Sequence, residues 1–376
     1  MFYERTQSHK SFPVLSFSSV ISIVAVAFAM FCATPGWSAE EVKVSSAAVE
    51  TEVARASFYA ERLQKASAEI KARLDALSPK ATEQKTSFKI GYTTAMDIPL
   101  EKLAGTRIPA GVLEKAASQN SLAAQALKID QADAARLKIP PRPLVCNVAS
   151  GAFDWRSLGK VTAVRNQEQC GSCWDFAAMA AYESAYLIRN SVSTDTSEQH
   201  VLDCAGAGTC SGGWYGPVWG WMEGHKVANE TQLPYVAQDQ SCPAGLAGHY
   251  QAVTWGFVTT GSSIPTVAEI KQALCEHGAV AVAMEATPLF QAYTGGVFSE
   301  ANVTGINHAV TIVGWDDQNQ AWIVKNSWGM GWGEAGYFRI RYGSNSIGYA
   351  AAWVEAASPV YLLNPRIPKL LAEMAK

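Results

Sequence analysis

The sequence predicts an α+β protein of two lobes, the first helical and the second β-rich, behind a separate N-terminal segment. Three observations carry this reading. All twelve tryptophans except Trp37 lie at or beyond Trp155, so the aromatic core begins there. From Cys173 to about Gly248 apolar residues recur at helical spacing, with Phe176, Met179, Ala180 and Tyr186 marking one side of a long helix. From about Tyr250 they alternate as strands do, over Gly278–Met284, His308–Gly314, Ala321–Lys325 and Gly336–Arg341. Helices first and strands second favour α+β layering over repeated βαβ units.

The elements can be taken in order. Arg5 and Lys10 precede a run from Val20 to Phe31 that is apolar apart from Ser22, and small residues follow towards Ala39. This reads as an export signal over residues 1–39, because the run is shorter than the roughly 20 residues a spanning helix needs. Its removal would leave no stable membrane insertion. The protein is then exported: secreted or periplasmic, or lysosomal or vesicular in a eukaryote. From Glu40 to Leu77 the pattern is helical, with Val49, Val53, Ala56, Ala60 and Leu63 on one stripe and breakers gathering at Pro79. A second, weakly helical stretch ends at Pro140, Pro141 and Pro143. With no tryptophan and only Tyr59 and Tyr92, residues 40–148 form an accessory segment. Residues 149–358 carry the core and 359–376 form a tail.

Composition sets limits on function. Of 376 residues, 48% are hydrophobic and 17% charged, and the net charge is −3. That is globular composition, without the basic excess that nucleic acid or anionic lipid would call for. Eight cysteines exceed what a reducing cytosol would leave unexplained. No His/Cys spacing matches a zinc site, so neither metal nor organic cofactor is expected.

The chemistry concentrates at Gln167 to Phe176. Ser172-x-x-Asp175 has the form of a capping box, which places Cys173 in the first turn of a helix. Free amides and the positive dipole end favour a thiolate there. His308, in Asn307-His308-Ala309, opens a predicted strand 135 residues downstream, and Asn326 follows at 153. An Asn carbonyl can accept from one ring nitrogen of His308 and hold the other towards the thiol. Trp328 stands where it would cover that bond.

Cys170-Gly-Ser-Cys173-Trp174 resembles the nucleophile signature of papain-like cysteine peptidases, as does the spacing to His308 and Asn326. The resemblance extends over most of Phe153 to Val354 through Ser197-Glu198-Gln199, Leu202-Asp203-Cys204, Cys210-Ser211-Gly212-Gly213 and Asn326-Ser327-Trp328-Gly329. It implies a two-lobed papain-like fold with a barrel-like second lobe, and a cysteine endopeptidase acting on polypeptides through a thioester. Cys173 would be nucleophile, His308 base, Asn326 its orienter, and Gln167 an oxyanion donor together with the Cys173 amide. Gly212 and Gly213 would admit substrate backbone. Trp214, Ala283, Ile306 and Ala352 would line a pocket for an apolar residue just upstream of the cut. The accessory segment would be an inhibitory prosegment, with Gly91-x-Thr93-x-Ala95-x-Asp97 a degraded form of the motif found there.

The resemblance also implies disulfides Cys170–Cys210 and Cys204–Cys242. Cys146 and Cys275 are then left over, either bridged to each other or separate, with Cys146 departing in the prosegment. Two departures stand out. Asp175 replaces a small residue and puts a carboxylate near the thiolate, and Ser211 replaces an Asn. A thioester-forming ligase or transferase, or a silent peptide-binding relative, remains an alternative. The silent relative would be expected to lack one of Cys173, His308, Asn326 or Gln167, and all four are present.

Overall fold

The computed structural model describes residues 46–83, 88–139 and 145–358. The export signal, the prolines at 140, 141 and 143, and the tail from Pro359 lie outside these. Two helices come first, α1 (Ser46–Lys65) and α2 (Ala68–Glu83). The break falls at Ala66–Ser67 and not at Pro79, which lies inside α2. Ser67 starts the second helix by accepting the Ile70 N–H at 3.2 Å.

The predicted apolar stripe of α1 is not its buried face. Val53 is 63% exposed and Leu63 40%, whereas Tyr59 is 7% exposed. The partner surface explains this, because it offers oxygen atoms. Tyr59 donates to the Gly333 carbonyl at 2.9 Å, and Arg62 pairs with Asp97 at 2.7 Å while lying over the Tyr92 ring. Polar-tipped side chains therefore face inward. The Gly91–Asp97 motif docks beside them. Gly91 N–H donates to Ala292 O at 2.8 Å and the Thr93 hydroxyl to Gln291 O at 2.7 Å. After a one-turn helix, Leu100–Leu103, the chain runs extended and then forms α3 (Ala116–Arg136).

The remaining chain gives β1 (Ala152–Asp154), the helices α4 (Cys173–Asn190), α5 (Glu198–Cys204) and α6 (Tyr215–Gly224), then β2 (Ala252–Phe257) and α7 (Val267–His277). Strands β3 (Val280–Met284), β4 (Val297–Phe298), β5 (His308–Asp316), β6 (Ala321–Lys325), β7 (Tyr337–Arg341) and β8 (Tyr349–Ala356) follow. One eight-stranded sheet runs β2-β8-β3-β5-β6-β7-β4, with β1 on the far end of β5. All pairings are antiparallel except β7 with β4. Among the described residues β2 and β4 are the ends of this sheet, so the second lobe is barrel-like without being a closed barrel.

Both faces of the sheet are buried, and side-chain size divides them. Val280, Val282, Met284, Val310 and Ile312 belong to the core of the β-rich lobe. Ala281, Ala283, Ala309 and Ala352 belong to a second core shared with α4 and α6. Small residues on that face let α4 lie close to the sheet, which brings its N-terminus to the start of β5. Three disulfides are present: Cys170–Cys210, Cys204–Cys242 and Cys146–Cys275, with Cα–Cα distances of 4.5, 4.9 and 5.1 Å. Cys173 is the free cysteine among the described residues.

Candidate active site

Cys173 is the first residue of α4, as expected, but not through a capping box. Ser172 makes no side-chain cap. Its hydroxyl pairs with the Tyr235 hydroxyl at 2.7 Å, and its backbone (φ −102°, ψ 18°) lacks the extended form a cap needs. Asp175 does not reach back either. Its carboxyl is fully buried and neither oxygen has a hydrogen-bond partner. Burial first, then the charges of Glu198, Glu230 and Asp203, push its pKa well above the usual carboxylate range. Burial thus disfavours the negative charge expected beside the thiolate.

His308 is the first residue of β5, and Asn326 directly follows the neighbouring strand β6. This antiparallel pairing sets Lys325 opposite Thr311, so the two side chains meet at one end of the sheet. The imidazole Nε2–H donates to Asn326 Oδ1 at 2.8 Å, which leaves Nδ1 without a partner. The Trp328 ring lies 4.8 Å from the imidazole, centroid to centroid, and is buried with it. Burial pushes the His308 pKa down to about 4, against the opposing Asn326 hydrogen bond. Burial likewise raises the Cys173 thiol, opposed by the Thr106 hydroxyl and nearby backbone N–H groups.

Gln167 is fixed from several sides. Its backbone N–H donates to Ser327 O at 2.8 Å, its Oε1 accepts from Ser327 Oγ at 2.6 Å, and its carbonyl accepts from Tyr235 at 3.0 Å. Its Nε2 then points outward, donating to Cys170 O at 2.9 Å and to Leu103 O at 3.1 Å. Sequence reasoning missed Ser327 and Tyr235. Adjacency to Asn326 was the available signal for Ser327, and Tyr235 had none.

The cleft is filled by this chain's own segment. Gly105 N–H donates to Cys173 Sγ at 3.3 Å, and the Thr106 hydroxyl lies 3.2 Å from it. Gly213 N–H donates to Gly105 O, and Arg107 N–H returns a bond to Gly213 O, each at 2.9 Å. Thr106 N–H donates to Asn307 O at 2.8 Å on the other wall. The segment runs parallel to Gly213. Ser211 O accepts from Arg107 Nε at 2.7 Å.

The glycines are needed for these approaches. A Cβ on Gly212, whose φ is +123°, would lie 2.6 Å from Arg107 Nε and 2.7 Å from Gly105 O, while one on Gly213 would lie 2.6 Å from both Ala207 O and the Trp174 ring. Trp214, Ala283 and Ala352 are buried in one apolar cluster with Tyr215, and half-buried Ile306 packs against it.

Residues 149–357 match the family described as papain family cysteine protease. Fruit bromelain of Ananas comosus is 36% identical over 200 residues, which is 52% of this chain and 56% of that one. The chain thus spans little more than half the length of that relative. The structure of bromelain from Ananas comosus bound to the E64 inhibitor superposes with a TM-score of 0.51 at 35% identity, covering 55% of this chain and 99% of that one. Digestive procathepsin L2 of Tenebrio molitor larval midgut gives a TM-score of 0.60 at 25% identity, covering 90% of this chain and 99% of that one.

Proposed function

Because the chain belongs to the papain family of cysteine proteases, we propose that it is an exported cysteine endopeptidase made as a zymogen. The observation that supports this is that one segment of the same chain meets the candidate groups in turn: Leu103 O accepts from the Gln167 amide, Gly105 N–H donates to Cys173 Sγ, and Thr106 N–H donates to the carbonyl of Asn307, the residue before His308. In catalysis the thiol proton passes to His308 Nδ1 and Sγ attacks the scissile carbonyl carbon. The oxyanion is held by Gln167 Nε2 and the Cys173 backbone N–H, donors worth a few kcal/mol each in such sites. His308 returns the proton to the leaving amine, and a thioester remains. A water then gives its proton to His308 and attacks, releasing the acid and the thiol. The substrates are polypeptides with an apolar residue just upstream of the cut, because Trp214, Ala283, Ile306 and Ala352 present no charge to it.

In the zymogen the same groups are occupied. The oxyanion donor is spent on Leu103 O, and an N–H faces Sγ where a substrate would present a carbonyl carbon. The buried thiol and imidazole are both held neutral, so no ion pair forms. Active-site labelling tests the reading. An epoxide thiol inhibitor should modify Cys173 alone, rapidly after acid treatment and slowly before it. Cys173→Ala should abolish cleavage of a fluorogenic peptide, and near wild-type turnover in that variant would overturn the mechanism.

A further inference from the structure

We propose that helix α3 (Ala116–Arg136) is a permanent part of the active enzyme, and that the cut which clears the cleft falls before it, within residues 107–115. This rests on the zymogen reading, but it concerns a surface away from the catalytic groups. The hydrogen bonds to Cys173, Gly213 and Asn307 come from residues 105–107. Helix α3 begins only at Ala116 and packs on β2, the end strand of the sheet.

That strand pairs with β8 on one side, and its other side faces α3. Asn120 acts there as a strand residue would: its Oδ1 accepts from Phe257 N–H at 2.7 Å and its Nδ2 donates to Phe257 O at 2.9 Å. Gln119 donates to Trp255 O at 2.8 Å. Ala116, Ala123 and Ala126 are each 1% exposed, so the helix backbone lies close on the sheet through small side chains. One turn further, Asp130 accepts both its bonds from Arg189 at 2.8 Å, and Arg189 also holds Glu355 at 3.1 Å. These three side chains are only 9–12% exposed. Loss of α3 would uncover an unpaired strand edge and break a buried ion pair inside the peptidase domain. The cleft segment has no such role, since the cleft exists to be filled by substrate.

The chain on either side fits this division. Arg107, Ile108, Pro109, Ala110, Glu114 and Lys115 are exposed, which suits hydrolysis of a peptide bond there. Beyond α3, Cys146 is bonded to Cys275 in α7, so a second cut between Cys146 and β1 would still leave α3 joined to the enzyme.

The test uses the full chain. It is acid-treated until active, labelled at Cys173, passed over a sizing column under native, non-reducing conditions and mapped by mass spectrometry. The labelled fraction should contain residues 116–136, covalently or as a co-eluting peptide. A labelled enzyme lacking them would overturn the proposal. Asn120→Ala with Asp130→Ala should lower the melting temperature of the active form by about 5 °C, and an unchanged melting temperature would also overturn it. Full activity in the uncut chain would instead refute the zymogen reading, and the melting of the double variant would still decide the place of α3.

Discussion

At the scale of single residues, the proposed oxyanion donor depends on its neighbours. Gln167 carries a two-ended amide, and the Ser327 hydroxyl at 2.6 Å holds Oε1 inward while Nε2 donates to Cys170 O at 2.9 Å. Ser327→Ala should lower kcat roughly tenfold with little change in KM, because the interaction matters most in the transition state. A rise in KM at constant kcat would show that Ser327 serves substrate binding instead. Asp175 has a pH signature. Its folded pKa lies well above its unfolded one, so the folded state holds a proton that the unfolded state has lost. Stability from this group therefore falls as pH rises from the unfolded value, about 3.8, towards the folded one. Asp175→Asn should flatten that fall, so that the variant gains most over the parent at pH 8 and least at pH 5. Equal pH slopes in thermal melts of the two proteins would refute this.

At the scale of elements, the extended segment through the cleft is held by its backbone, and Gly105 is the residue that permits it. A Cβ there would lie 1.8 Å from Gly171 O, against main chain that cannot yield. Gly105→Ala should lift the segment and raise the labelling rate of Cys173 in the uncut chain at least tenfold, an effect of about 1.4 kcal/mol. An unchanged rate would mean that the helices α1 and α2 hold the segment in place without it. This explains what the sequence could convey. Cys173, His308 and Asn326 stood out as candidates because the proposed chemistry demands residue types at given spacings, and Gln167 because of the resemblance. The predicted strand over residues 321–325 held because it is fixed by local periodicity. The inward face of α1 was not legible, since it is chosen by carbonyls some 270 residues away in sequence. The Ser172–Asp175 pattern misled for the same reason: Tyr235, distant in sequence, took the serine hydroxyl. Nor could the alternation of β2 to β8 reveal that both faces are buried, because that depends on what covers the second face.

At the scale of the whole molecule, the proposed zymogen and its open form would differ in the protons they hold. With the segment in place, His308 is fully buried and its pKa is pushed down to about 4. In a chain that lacks the Cys173 thiol, release returns water to the imidazole, so its pKa returns to the usual value of about 6.5. Between these values the open form binds one proton that the closed form does not. By linkage, closure loses stability as pH falls through about 6.5, up to tenfold per pH unit, and the loss levels off below about pH 4. The effect acts on the cleft segment and opposes the Asp175 effect, which acts on the fold, so acid should open the cleft while the peptidase domain keeps its stability. Hydrogen exchange at Thr106 and Arg107 measures this directly, since their N–H groups are bonded to Asn307 and Gly213. In a Cys173→Ala chain, which cannot process itself, their protection relative to intrinsic exchange should decline between pH 6.5 and pH 4. The decline should disappear when His308 is also changed to Gln, which carries no titrating group. Protection that stays constant across that window in the single variant would exclude His308 as the proton-linked latch.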